Sequence, residues 1–215
     1  MGGVFGQQDL ASGNTPFNEL SFVVQMMMAK MNVATLVQVV AVETSGRTAA
    51  VGTVDVLPLV NQVDGSGAAM PHATIHGLPF FRLQGGANAV IVDPKPGDIG
   101  FCVFADRDIS SVQASGAQGN PGSARRFDMA DGLYLGGWNM PVAPARYIVV
   151  DDEGITLMAG AQGADLTCGT FTINGDVVVN GKVTATGDVS GQGTSLHTHM
   201  HSGVQSGGSN TGVPV

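Results

Sequence analysis

At 215 residues the chain has room for one ordinary domain plus an elongated element, and 32 glycines against two tyrosines and one tryptophan point to a thin, turn-rich β protein with little helix. Only 12% of residues are charged and the formal net charge is −8, without the clustered Lys and Arg that displace counterions from phosphates, which argues against a nucleic-acid surface. Cys102 and Cys168 have neither CxxC spacing nor a disulfide framework and are expected as buried free thiols in a chain assembled in a reducing compartment.

Met1 to Thr15 is polar and glycine-rich, without the basic start and apolar core of a secretory signal. The apolar stretch from Phe22 to Val42 is broken by Gln25, Lys30, Asn32 and Gln38, so its runs fall far short of the roughly 20 residues that cross a bilayer. Pro16 to Met31 suits a helix, with Thr15 as N-cap, Pro16 at the first position and Glu19 where the dipole favours an acid. Its Met26, Met27, Met28 and Met31 are expected in a core or at a subunit contact. From Thr35 the pattern turns to β: Leu36 to Glu43, Ala49 to Leu59, Ala89 to Val92 and Ile99 to Phe104, the last preceded by the turn signal Pro94-Lys95-Pro96-Gly97-Asp98. Four or five short strands in about seventy residues fit a small closed barrel, the OB type among them. His72 and His76 fall between Pro71, Gly77 and Pro79, a poor setting for a helical ligand pair. Residues 111 to 127 read as a Gly/Ser/Gln loop in which Arg125 and Arg126 face solvent or a partner, Met129 to Trp138 as a docking segment, and Ala145 to Val150 as renewed strand alternation. Asp151-Asp152-Glu153-Gly154 lacks the spaced ligands of an EF-hand and reads as a turn before Ile155 and Leu157.

Glycine then recurs at 175, 181 and 187, each followed by a charged residue and a valine. Six is even, so strand parity survives from repeat to repeat, and Val177, Val179, Val183, Ala185 and Val189 share a face with Phe171 and Ile173. A stripe about three repeats long cannot bury itself in one chain; three intertwined copies would turn it into a dry axis and leave Asp176, Lys182 and Asp188 in solvent. Beyond it comes Leu196-His197-Thr198-His199-Met200-His201-Ser202-Gly203-Val204, holding three of the five histidines. In an extended chain those imidazoles project together at a spacing suited to a transition metal. One such segment reaches only adjacent positions around an ion, whereas a His-x-His pair from each of three chains on a threefold axis supplies six nitrogens, an octahedral set. A disordered polar tail is the other reading of the same residues.

The Gly-punctuated valine repeat running into Ser195-Leu196-His197-Thr198-His199-Met200-His201-Ser202-Gly203-Val204-Gln205 and ending Thr211-Gly212-Val213-Pro214 resembles the central spike proteins of contractile-tailed bacteriophages, the baseplate-assembly spikes that pierce the host envelope. Gly97-Asp98-Ile99-Gly100-Phe101 through Asp106-Arg107-Asp108-Ile109 also looks familial. The resemblance implies a mainly β chain: an arm and helix over 1–33, an N-terminal OB-type barrel over 34–110, a linker and collar over 111–145, an intertwined homotrimeric β-helix shaft over 146–196 and a metal-bound tip over 197–215. It implies one iron shared by three chains in octahedral histidine coordination. The ligands would be His199 and His201, which precede the Gly-Val, with His197 extending the pattern as a third near-axis residue or a further ligand. It further implies a virion protein at the tail baseplate tip, assembled in the host cytoplasm, whose partners are the baseplate hub, the tail tube proteins and the host cell envelope.

Enzyme motifs are missing from the sequence: there is no Gly-x-Ser-x-Gly, P-loop or His-Glu-x-x-His, and Gly85-Gly86 lacks the context of a phosphate cradle. A cupin-like site would need later ligands, and the fourteen residues after His201 hold no histidine or acid. The reading is a non-enzymatic structural spike. The alternative is a hexapeptide-repeat acyltransferase-like trimer, which shares six-residue periodicity but requires many more coils and a catalytic histidine between subunits.

Overall fold

The computed structural model describes residues 13–44, 48, 50–64, 67–137, 142–200, 203 and 207. The chain divides into two compact units, Met1–Met158 and Ala159–Val215.

The first unit opens with helix α1, Pro16–Met28, three residues shorter at its end than the apolar pattern suggests. The Thr15 hydroxyl accepts the Asn18 amide at 3.2 Å, and the proline sits where its missing N–H costs nothing. No α1 residue is buried and Met27 and Met28 stand well exposed, so within this chain the methionines are not core.

Strands β1 (Ala34–Glu43) and β2 (Thr53–Pro58) form an antiparallel pair. Two short ladders follow around β5 (Ile75–Pro79): β3 (Gln62–Val63) with β4 (Ala69–Met70), and β6 (Leu83–Gly85) with β7 (Asn88–Val90). Next come β8 (Ile99–Phe104), helix α2 (Ser110–Ser115) and β9 (Gly132–Gly137). The main sheet runs β5-β2-β1-β8-β9, every neighbouring pair antiparallel. Just past β5, Phe80 bridges Tyr134 of β9 in parallel, and the Phe81 amide donates to the Tyr134 carbonyl at 2.7 Å. The two outer strands therefore meet, and the sheet curls into a half-barrel. Its fifth strand comes from the stretch that the sequence places in the collar, 22 residues beyond the expected barrel limit at 110.

Period-two burial builds the core. Val37 and Val39 of β1, Val54 and Val56 of β2, Cys102 and Phe104 of β8 and Tyr134 of β9 point inward beside Leu78 and Phe80. Two glycines make room for the large rings. A Cβ on Gly132 would lie 3.0 Å from Cys102 Sγ, Leu78 Cδ1 and Phe104 Cδ1, and one on Gly100 would lie 1.9 Å from the Gly136 carbonyl oxygen and 2.7 Å from the Tyr134 ring. Burial pushes the Cys102 thiol up to about 12, so it stays protonated and unreactive near neutrality.

The unit closes with the hairpin β10 (Tyr147–Asp151) and β11 (Gly154–Met158). Asp151 Oδ1 accepts the Glu153 amide at 3.0 Å, making the acidic run a turn, as its spacing suggests. Ile148, Val150, Ile155 and Leu157 are all exposed.

In the second unit no strand or helix is assigned from 163 to 189, where the chain has no ladder of its own. The stripe residues Phe171, Ile173, Val177, Val179, Val183 and Val189 remain exposed in the single chain. Cys168 is exposed too, contrary to the expectation of a buried thiol. Ordered pairing resumes in the hairpin β12 (Ser190–Gly191) and β13 (Thr194–Ser195). Its two-residue loop, Gln192-Gly193, has φ of 50° and 82°, the signs a tight hairpin turn demands.

Candidate metal centre at the chain tip

The chain leaving β13 does not stay extended through His197, as the alternating histidines suggest. The Ser195 hydroxyl accepts the amides of His197 and Thr198 at 3.1 and 2.9 Å, and the Ser195 carbonyl accepts the His199 amide at 3.1 Å. Residues 196 to 198 thus form one tight turn, a local competitor that serine offers to strand structure. Asp188 locks it from the preceding segment: its Oδ1 accepts the Ser195 hydroxyl at 2.9 Å and the His197 amide at 3.2 Å. The Leu196 amide donates to the Val189 carbonyl at 2.7 Å, adding a rung beyond the hairpin.

His197 sits inside this turn. His199 begins the next stretch, and its Nδ1 lies 3.0 Å from the Leu196 carbonyl oxygen. A carbonyl only accepts, so the ring proton is on Nδ1 and the lone pair on Nε2. This is the tautomer in which a histidine ligates a metal while its other nitrogen is held by the backbone. His201 lies outside the described residues. Among the described residues no group of three His, Cys, Asp or Glu side chains gathers as a metal cage. With its proton on Nδ1, His199 has the donor chemistry to hold a metal through Nε2.

An open cleft runs beside the turn, lined by Val183, Ala185, Val189 and Leu196 among others. It is the apolar stripe seen from the side, uncovered in the single chain.

Elsewhere the polar clusters are structural in geometry. Arg125 reaches the buried carboxylates of Asp108 and Asp131 at 3.1 and 3.0 Å. Asp108 also accepts the Ser123 hydroxyl at 2.6 Å and the Ser110 amide at 2.9 Å; hydrogen bonds from Ser110 and Ser123, then the Arg125 charge, hold its carboxyl well below the usual range. This knot ties residues 108–131 together across a segment that reads as a solvated loop. No local signal marks it, because Arg125 stands 17 residues after Asp108 and 6 before Asp131. His76 pairs with Asp55 at 2.7 Å on the exposed side of β5, and His72 contacts the Val60 carbonyl, so the two histidines form no helical ligand pair.

Comparison with known proteins places a family match on this same tip: residues 193–215 match the GpV Apex motif. The match covers about a tenth of the chain and points to a phage baseplate spike protein, a component of the virion tail. No curated protein matches the chain. No described helix is long and apolar enough to cross a membrane.

Proposed function

We propose that the chain is a homotrimeric spike that pierces the host cell envelope at the tip of a contractile phage tail, its three ends clamped by one shared iron. The observation that carries this reading is the Apex match on 193–215, just beyond a segment, 163–189, that has an apolar stripe and no strand or helix of its own. Backbone donors and acceptors need partners, and exposed valines gain nothing in water. Two further copies would supply both, giving an intertwined β-helix with no free sheet edge. The half-barrel supports an OB-type collar: its five-strand order, closed by a parallel contact between β5 and β9, is the connectivity of a small Greek-key barrel. The hexapeptide-repeat alternative wants coils built within each chain, and 163–189 offers none.

In this reading His199 and His201 of each chain direct nitrogens at the threefold axis, and iron supplies the bond that ties the three ends together when bound. His197, inside the turn, stands outside the pair. Six nitrogens leave no open position for a substrate, so the group's role is mechanical: it removes fraying freedom at the point that bears the load when the tail drives the needle forward. The baseplate hub and tail tube would hold the opposite end. Elemental analysis of tag-free protein tests the proposal. One iron per three chains, with a native mass three times that of the chain, is expected; a monomer, or one metal per chain, would sink it.

A further inference from the structure

The turn before the histidine pair holds more chemistry than a bend requires. A carboxylate only accepts hydrogen bonds, so the 2.9 Å contact between Asp188 Oδ1 and Ser195 Oγ fixes the serine's one proton on the acid. Both serine lone pairs then face outward, where the His197 and Thr198 amides meet them at 3.1 and 2.9 Å. With those amides held, the backbone closes one turn through the His199 amide and the Ser195 carbonyl, and this places the Leu196 carbonyl 3.0 Å from His199 Nδ1. The chain of contacts starts at a surface carboxylate and ends at one ring nitrogen.

We propose that Asp188 and Ser195 are positioning residues that set the tautomer of His199, placing its proton on Nδ1 and its lone pair on Nε2 for the tip metal. The inference rests on the metal-tip reading above and adds to it the residues that prepare a ligand before the metal arrives. A neutral imidazole free in solution chooses between two tautomers and rotates about two side-chain bonds; here both choices are made by the fold. Holding a ligating histidine through its second nitrogen is worth about 10- to 100-fold in metal affinity, and three chains repeat the device around one ion. The spacing is built for it: Asp188 lies two residues before β12 and Ser195 ends β13, and the tight Gln192-Gly193 loop folds the one back beside the other.

The test compares the full-length wild type with Ser195→Ala, Ser195→Thr and His199→Ala, each titrated with ferrous iron under anaerobic conditions after chelator treatment. Native mass is checked in parallel, and the histidine nitrogens are followed by 15N NMR in the metal-free proteins. Expected are an Nδ1-bound proton on His199 in the metal-free wild type, iron affinity at least tenfold lower in Ser195→Ala with trimer mass unchanged, and recovery in Ser195→Thr, whose hydroxyl can take the same two contacts. If Ser195→Ala binds iron within twofold of wild type while His199→Ala does not bind, the positioning role is wrong and the metal tip stands. If wild type binds no iron, the tip reading and this inference fall together. Should Ser195→Ala not fold, the wild-type tautomer decides: a proton on Nε2 of His199 overturns the proposal.

Discussion

Val183 and Val178 are the same residue type, five positions apart and of opposite strand parity within 163–189, and they should respond to mutation very differently if that segment forms a trimeric shaft. Val183 lies on the stripe and is 70% exposed in the single chain; Val178 lies off it at 82%. Burying a whole valine side chain is worth about 1.5–3 kcal/mol, so the exposed share of Val183 leaves about 1–2 kcal/mol per chain to be gained from partners. Three symmetry-related copies make that about 3–6 kcal/mol for a trimer. Val183→Asp forfeits it and also brings three carboxylates together in a dry axis, where each must be desolvated against like charges. Val178→Asp puts the same charge into water. Native mass spectrometry and thermal unfolding, at equal chain concentration, should find Val178→Asp trimeric with a melting temperature close to wild type, and Val183→Asp dissociated or melting far lower. Equal behaviour of the two variants would refute the axial stripe, whatever its sign.

Gly100→Ala should cost more than Gly132→Ala. The first methyl meets a backbone carbonyl that cannot step aside without breaking the β8–β9 ladder, whereas the second meets three side-chain atoms at 3.0 Å and costs about 1–3 kcal/mol of overpacking; denaturation midpoints of the two variants check the order, and a milder Gly100→Ala would contradict the packing described. At the polar knot, the Asp108 carboxyl is held below its ordinary value, so its contribution is complete above the unfolded carboxylate range near pH 4 and lost as pH falls through the lower folded value. Ser123→Ala removes one of the contacts responsible, so wild type should exceed the variant in stability at pH 7 and converge on it under strong acid; a gap that widened with acidification would show that Asp108 is not held as an anion.

The parts of the molecule that depend on neighbours in sequence were readable from the sequence. Thr15-Pro16 marks the start of α1, the alternation of Val37 with Val39 and of Val54 with Val56 marks inward faces, and Pro94 to Asp98 marks the turn before β8. What depends on distant partners was hidden. Strand β9 is short and glycine-bearing, Gly-Leu-Tyr-Leu-Gly-Gly, and is recognisable only once Tyr134 has a core to enter. Arg125 looked solvated because its two carboxylates lie 17 residues before it and 6 after. At the tip the histidine alternation is genuine sequence parity, but Ser195, with Asp188 behind it, outcompetes the strand for two backbone amides. A serine two residues ahead of the first histidine was the available signal.

The unpaired stretch from 163 to 189 has a consequence for the life of a chain before assembly. Its backbone is open to any protease that needs an extended substrate, with no strand or helix assigned to it among the described residues. If the missing ladder comes only from other copies, the interval of vulnerability is set by how often three chains meet, and therefore by how fast they are made. Surplus or truncated copies would be cut, while completed trimers would resist, so the same segment would also sort finished molecules from unfinished ones.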